Sequence, residues 1–416
     1  ASSMAWLAAA LLGLLAAATA PPAAALDSPD FAVVGYIPEW RYDGLDWDSI
    51  FRHLTHGLLF SIEVDPAGGL KALDRLPNPK AFAKARKAAK KHNTKLMICL
   101  GGNARSGGFS EVVANETLRA TFLDTLSDFL DEHGLDGVDY NWEYPSNPEE
   151  WDGLGFLLEE TRAKLGKDKV ITMAYYPDWQ QERILKVINA TAYCDLIHSM
   201  AYDQPGRHSI LEFSMKTIRN WVAAGHHPGY STLGVPFYSR DRRTGEWRTY
   251  GDIYDNESPE WDVDEFGDVY FNNIKTIMQK TKLAKDHRLG GVMIWEVGQD
   301  KHPSHPKSLL RAISTQREAV EPENDPFEGV KERPGIRRPA NWEGGEEGGQ
   351  KAPEKSEKSD RKSTNDPTDS GKVSPKMKAK MAEWKDAEAK KMKEHLDKAK
   401  DRGELPKDKE LPKDEL

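Results

Sequence analysis

Cysteine is scarce in this chain: its 416 residues hold two, Cys99 and Cys194. Two thiols, each in or beside a stretch of branched apolar residues, exclude a disulfide framework and read as buried free cysteines. An excess of basic charge is lacking too, since 58 Lys and Arg against 67 Asp and Glu leave a formal net charge of -9. A general nucleic-acid surface is thereby removed, and nucleic acid is set aside as a partner. Past residue 25 no apolar run is long enough to span a bilayer. Histidines at metal-ligand spacing are missing as well. His302, His305 and the His226-His227 pair fall in loops and read as solvated, so no metal and no cofactor is expected.

What the chain does have is organised by composition. From Met4 an Ala- and Leu-rich run leads to Pro21-Pro22-Ala23-Ala24-Ala25, so residues 1-25 read as a secretory signal peptide whose removal leaves no membrane span. At the other end stands Lys413-Asp414-Glu415-Leu416, the address read by the KDEL receptor. Together they predict the lumen of the endoplasmic reticulum. Asn115, Asn189 and Asn256 head glycosylation tripeptides used in that compartment. Residues 26-318 carry the apolar pattern of one large domain. Residues 319-374, dominated by Pro, Gly, Glu, Lys, Ser and Asp, read as a disordered linker. Met377, Met381, Trp384, Met392 and Leu396 draw one narrow apolar stripe along a charged amphipathic helix over 375-402, and 403-416 forms the tail. The protein is read as a monomer.

Within the domain, short branched apolar runs alternate with helical patterns. Phe31 to Pro38, His56 to Val64, Lys95 to Leu100, Leu135 to Pro145, Val170 to Tyr176, Cys194 to Asp203, Leu233 to Phe237 and Gly291 to Glu296 read as eight strands. Helices are expected between them, among them Asn78 to His92, Asn115 to His133, Pro148 to Leu165, Leu211 to Ala224, Tyr270 to Ala284 and Pro306 to Arg317. Eight strands alternating with about eight helices predict a (β/α)8 TIM barrel followed by a low-complexity, partly helical tail, with a doubly wound sheet as the alternative.

The fourth strand carries the chemistry. Side chains on a strand alternate, so Asp139, Asn141 and Glu143 share one face while Val138, Tyr140 and Trp142 share the other. The bulky face suits packing under a helix. The polar line therefore points elsewhere, toward the barrel mouth, where catalytic groups of this fold sit. Glu143, on a buried line beside Asp139, is placed to have a raised pKa and to act as a general acid. Tyr36, Trp40, Tyr144, Tyr202 and Trp295 offer flat apolar faces of the kind on which pyranose rings pack.

The run from Asp136 to Pro145 resembles the DxxDxDxE signature of family 18 glycoside hydrolases, the chitinases and chitinase-like proteins. Lys95 to Gly102, Met200-Ala201-Tyr202-Asp203, Gly234 to Arg240 and Gly290 to Trp295 resemble the family's third, sixth, seventh and eighth strands. The resemblance spans about Phe31 to Ala312. It implies retaining cleavage of β-1,4-linked N-acetylglucosamine in which the sugar's own acetamide is the nucleophile. Glu143, Asn141, Asp139 and Tyr202 fall to catalysis; Trp295, Tyr36, Phe60, Asp136, Tyr144, Met200, Asp203 and Arg240 fall to substrate binding. Chitin or N-acetylglucosamine oligosaccharides are the implied partners. One position departs from the signature: Asn141 stands where the family has Asp, which predicts either slow hydrolysis, with transglycosylation, or a site retuned by neighbours in which Asp139 shares the role. The short segment between Arg240 and Gly290 predicts an open cleft. A chito-oligosaccharide lectin and an endo-β-N-acetylglucosaminidase acting on N-glycans stay open as alternatives.

Overall fold

The structure, a computed structural model, describes residues 31–319. The expected leader, linker, charged helix and retention tail lie outside the described residues. Eight strands make the centre: β1 (Ala32–Pro38), β2 (His56–Val64), β3 (Lys95–Gly101), β4 (Gly137–Asn141), β5 (Val170–Tyr175), β6 (Leu196–Ser199), β7 (Ser231–Pro236) and β8 (Gly291–Trp295). Each pairs in parallel with the next and β8 pairs with β1, so the sheet closes on itself. This is the (β/α)8 barrel.

Strand alternation divides the core into two layers. On β1, Val34 and Tyr36 face the barrel interior, whereas Val33 and Ile37 pack beneath the helices. On β4, Val138 and Tyr140 join the outer layer; just beyond its end Trp142 does the same, stacked on Phe109 at 5.1 Å, and the Tyr140 hydroxyl bonds Thr161. Asp139 and Asn141 are left facing inward.

Helix ends follow the capping residues. Pro79–His92 starts on an Asn78 side chain that accepts from the Ala81 N–H, and it stops where Asn93 turns left-handed. Glu116–His133 is capped by Asn115 and closed by Gly134. Three expectations are corrected. The helix foreseen from Tyr270 begins at Ile274, because Val269–Tyr270 is committed as a strand and Asn273 supplies the cap. His226 is buried, not solvated, with its ring stacked on Trp221 at 4.0 Å. The last helix, expected from Pro306, begins at Leu309, where Ser308 supplies the cap. The short segment past Arg240 carries structure of its own. Tyr238–Asp241, Trp247–Thr249, Glu265–Phe266 and Val269–Tyr270 form a small antiparallel sheet, and Tyr250–Glu257 is helical. Both cysteines are free and buried. Among the described residues no helix is long and apolar enough to cross a membrane.

Two glycines bring the rim together. At Gly101 (φ +94°) a Cβ would stand 2.5 Å from the Asn141 carbonyl oxygen, and at Gly102 (φ +105°) it would strike the Phe60 ring at 2.5 Å. The end of β3 can therefore press against the ends of β2 and β4, which seats the site between them.

Candidate active site

The polar line of β4 rises from the barrel interior to its mouth. At its base Asp139 is fully buried: Tyr36 donates its hydroxyl to Oδ2 at 2.8 Å and Thr172 donates to Oδ1 at 2.7 Å. One step up, Asn141 is 3% exposed, and its Oδ1 has no hydrogen-bond partner among the described residues. Its side chain bonds the carboxyl of Glu143. Since that carboxyl takes a hydrogen from the amide, Asn141 presents Nδ2 to Glu143 and keeps Oδ1 for something else. A buried carbonyl oxygen left unpaired costs about 1–3 kcal/mol, so this one is an acceptor suited to a ligand's donor.

Burial pushes the Glu143 carboxyl up to about 7, and the negative charge of Asp203 adds to it, while bonds from Asn141, the Asn103 backbone and Tyr144 oppose it. The group is therefore largely protonated below neutral pH, as a general acid must be. Ser106, on the loop after β3, accepts the Glu143 N–H at 3.1 Å and fixes the backbone beneath the acid.

Around this acid stand rings. Trp295, at the end of β8, meets Phe60 edge-on at 4.7 Å and Tyr36 at 5.5 Å. Tyr202 is buried against Tyr238, and among the described residues its hydroxyl has only the Met293 sulfur, at 3.7 Å, as an acceptor. Sulfur is a weak acceptor, so this O–H is available to a ligand. Met200 lines the same inner cluster, with Tyr144 packed against it. Opposite, Arg240 bonds Asp203 through Nε at 2.9 Å, with His208 Nδ1 3.6 Å from the same oxygen. Partial burial would raise the Asp203 carboxyl, yet bonds from His208, Arg240 and Tyr238 hold it below the usual carboxylate range.

Asp136 does not join these residues. It lies just before β4, where its Oδ2 accepts the Leu96 N–H at 2.8 Å and Lys95 stands 3.8 Å away. Six residues lie between it and Glu143, and the strand among them carries the chain about 20 Å, so the two occupy opposite ends of the barrel. Its role is to tie β3 to β4, and the expected substrate contact is corrected. Sequence reasoning also passed over several members of the site. Arg105 pairs with Glu39 at 2.7 and 3.1 Å and lies over the rings of Phe60 and Trp40. Ser106, Thr172, His208 and Tyr238 carried no periodic signal. The glycine pair before Arg105 and Ser106 was the one available hint.

A buried acid among aromatic rings at the C-terminal mouth of a closed barrel is the arrangement of a TIM-barrel glycosidase site. The family model described as glycosyl hydrolases family 18 matches residues 32–300, and the chain belongs to that family. It is 25% identical over 286 residues to probable chitinase 2 of Drosophila melanogaster, covering 50% of this chain and 56% of that protein. The chain spans about half the length of the relatives of this kind that it matches. Among solved structures, the chitinase ChiB from the chitin utilization locus of Flavobacterium johnsoniae aligns with a TM-score of 0.60 and 27% identity, over 70% of this chain and 94% of that one. A group II chitinase catalytic domain of Ostrinia furnacalis, solved in complex with (NAG)5, aligns with a TM-score of 0.58 at 20% identity, over 68% and 95%.

Proposed function

We propose that this protein is a chitinase-type hydrolase that cleaves β-1,4-linked N-acetylglucosamine oligomers with retention, using the substrate's acetamide as nucleophile. The observation that carries the proposal is the Asn141–Glu143 pair: a buried carboxyl joined to an amide whose oxygen has no partner among the described residues. An acetamide N–H is a donor of the right kind for that oxygen. Tyr202 then donates its free hydroxyl to the acetamide oxygen and aims it at the anomeric carbon. Glu143 protonates the glycosidic oxygen, the C–O bond breaks, and the acetamide oxygen closes an oxazolinium ring. Glu143, now a carboxylate, takes a proton from water, whose oxygen opens that ring and restores the acetamide. A protein nucleophile is not needed, and Asp139 and Asp203 are each engaged with their own partners. Trp295 serves as the platform beneath the reacting sugar. The bound (NAG)5 in the Ostrinia relative agrees with this choice of ligand.

The test is incubation of the full chain with chitotriose and chitotetraose, following products by mass and the product anomer by NMR. Release of shorter oligomers in the β form supports the proposal; tight binding without release makes the protein a lectin, and activity confined to N-glycans makes it an endo-β-N-acetylglucosaminidase. Because Glu143 must be protonated and burial has raised it to about 7, kcat/KM should fall on the alkaline side with a midpoint near that value.

The small sheet past β7 extends the binding surface. Trp247 pairs directly with Arg240 across two antiparallel strands, so both side chains share one face, and Trp247 is 57% exposed. We assign it the stacking of a sugar unit beyond the reacting one. Trp247→Ala should raise KM for chitotetraose by about tenfold, with kcat nearly unchanged and chitobiose derivatives unaffected, as steady-state kinetics across oligomer length will show. We propose the lumen of the endoplasmic reticulum as the protein's location, the KDEL receptor, through Lys413-Asp414-Glu415-Leu416, as a partner, and a monomeric state. Exposed side chains at Asn115, Asn189 and Asn256 support their use as glycan acceptors.

A further inference from the structure

Asp139 has a neighbour that the reaction as written does not use. His198, on β6, is fully buried in the barrel interior, its ring edge-on to Tyr36 at 6.3 Å. Its Nδ1 lies 2.7 Å from Thr232 Oγ1. Its Nε2 stands 3.7 Å from Asp139 Oδ1 and has no closer hydrogen-bond partner among the described residues.

The position of the ring proton follows from Thr232. That residue is buried, and among the described residues the one side-chain hydrogen bond of its Oγ1 is the one to His198. A buried hydroxyl that fails to donate leaves its hydrogen unsatisfied. Thr232 therefore donates to Nδ1, which must be unprotonated, and the ring carries its proton on Nε2, directed at Asp139. The other tautomer would strand the Thr232 hydrogen and set an imidazole lone pair against a carboxylate oxygen.

We propose that His198 is a positioning residue: its Nε2–H holds Asp139 ionised, and Asp139 thereby supplies, one step below Asn141, the negative charge that the amide lacks. This rests on the hydrolase proposal above, in which positive charge develops on the oxazolinium. The ionisable groups around Asp139 and His198 are Tyr36 on β1, His56 on β2, Cys99 on β3, Glu143 past β4, Cys194 before β6 and Tyr202 after it. Burial raises the Asp139 carboxyl, and bonds from Thr172, Tyr36 and Cys99 oppose the rise. Burial, reinforced by His56, pushes the His198 imidazole down to about 3, so at working pH it acts on Asp139 as an oriented dipole and not as a cation. Removing that dipole favours the protonated acid, and the neutral Asp139 no longer offsets the intermediate's charge.

Two measurements on the full chain test this. Long-range 1H–15N spectra of the 15N-labelled protein, with the His198 signals assigned by difference against His198→Gln, should show the proton on Nε2 throughout the working pH range; a proton on Nδ1 overturns the assignment. His198→Phe keeps a ring but removes the donor. The acid limb of its kcat profile should move up by about one pH unit, a tenfold loss of kcat on the acid side of that limb, with KM changed less than about twofold. His198→Gln, whose amide N–H can take the place of Nε2–H, should restore the native limb. A uniform fall in kcat at all pH values in folded His198→Phe, or a folded Gln variant with the Phe profile, defeats the proposal. If the native chain cleaves no oligosaccharide, the hydrolase proposal is the one that fails, and the tautomer alone then decides the state of His198.

Discussion

Exchanging Glu143 for Gln is expected to lower kcat on chitotetraose by about 10²–10⁴-fold while leaving oligosaccharide affinity nearly intact. The two side chains have the same length and shape, so the bond with Asn141 and the support from Ser106 survive in the variant. What the amide cannot do is surrender a proton to the glycosidic oxygen, nor take one from water in the second step. Both halves of the reaction lose their proton carrier at once. Product mass spectrometry measures the loss, and calorimetric titration with the same oligomer measures the affinity. A variant that cleaves at more than about a tenth of the native rate would remove Glu143 from the role of acid. A variant that neither cleaves nor binds would show that the carboxyl holds the pocket together instead.

The second large effect runs in the opposite direction. Asn141→Asp should raise kcat by up to about a hundredfold, because a charge-assisted bond to the acetamide N–H replaces a neutral one where positive charge develops, worth about 3 kcal/mol. The substitution also changes Glu143. Nδ2 now donates to its carboxyl, and an aspartate in that place would remove the donor and set a like charge beside it. Both changes favour the protonated acid, so the alkaline limb near pH 7 should move to higher pH. Longer oligomers formed by transfer to a second sugar should decline, since a stabilised oxazolinium reacts with water before an acceptor exchanges in. A pH–rate profile with product analysis reads all three. An unchanged or lower kcat would mean that the amide does not limit the native reaction and that the site is already compensated, as the His198–Asp139 arrangement would allow.

Much of this site was legible because a strand announces its faces. Val138, Tyr140 and Trp142 are large and apolar, so the alternate residues had to point inward, and Asp139 and Asn141 do. The eight apolar runs gave the barrel for the same reason, with the caps at Asn78, Asn115 and Gly134 setting helix ends to within a residue. Asp136 was misplaced because its signature is linear and the strand is long: membership in one motif put it at the far end of the barrel from the acid. Trp247 was silent for a different reason. A strand of three residues has no period to detect, and its place beside Arg240 depends on the pairing of two short segments. His198 carried no signal of its own in the sequence, and its place beside Asp139 in the barrel gives it a chemical meaning.

The two sides of the cleft differ in how they are built. Glu143 follows a central strand that has a paired neighbour on each side, within a ring that has no edge. Arg240, Tyr238 and Trp247 belong to the appended sheet, whose strands run two to four residues and meet the barrel through β7. On the proposed function, proton transfer and the binding of sugars beyond the reacting one are therefore written on separate pieces of chain. Insertions or exchanges in the appended sheet can redraw which sugars are accepted and leave the proton chemistry untouched, so diversification of this protein is expected to concentrate between residues 238 and 270, while the strand beneath Glu143 stays fixed.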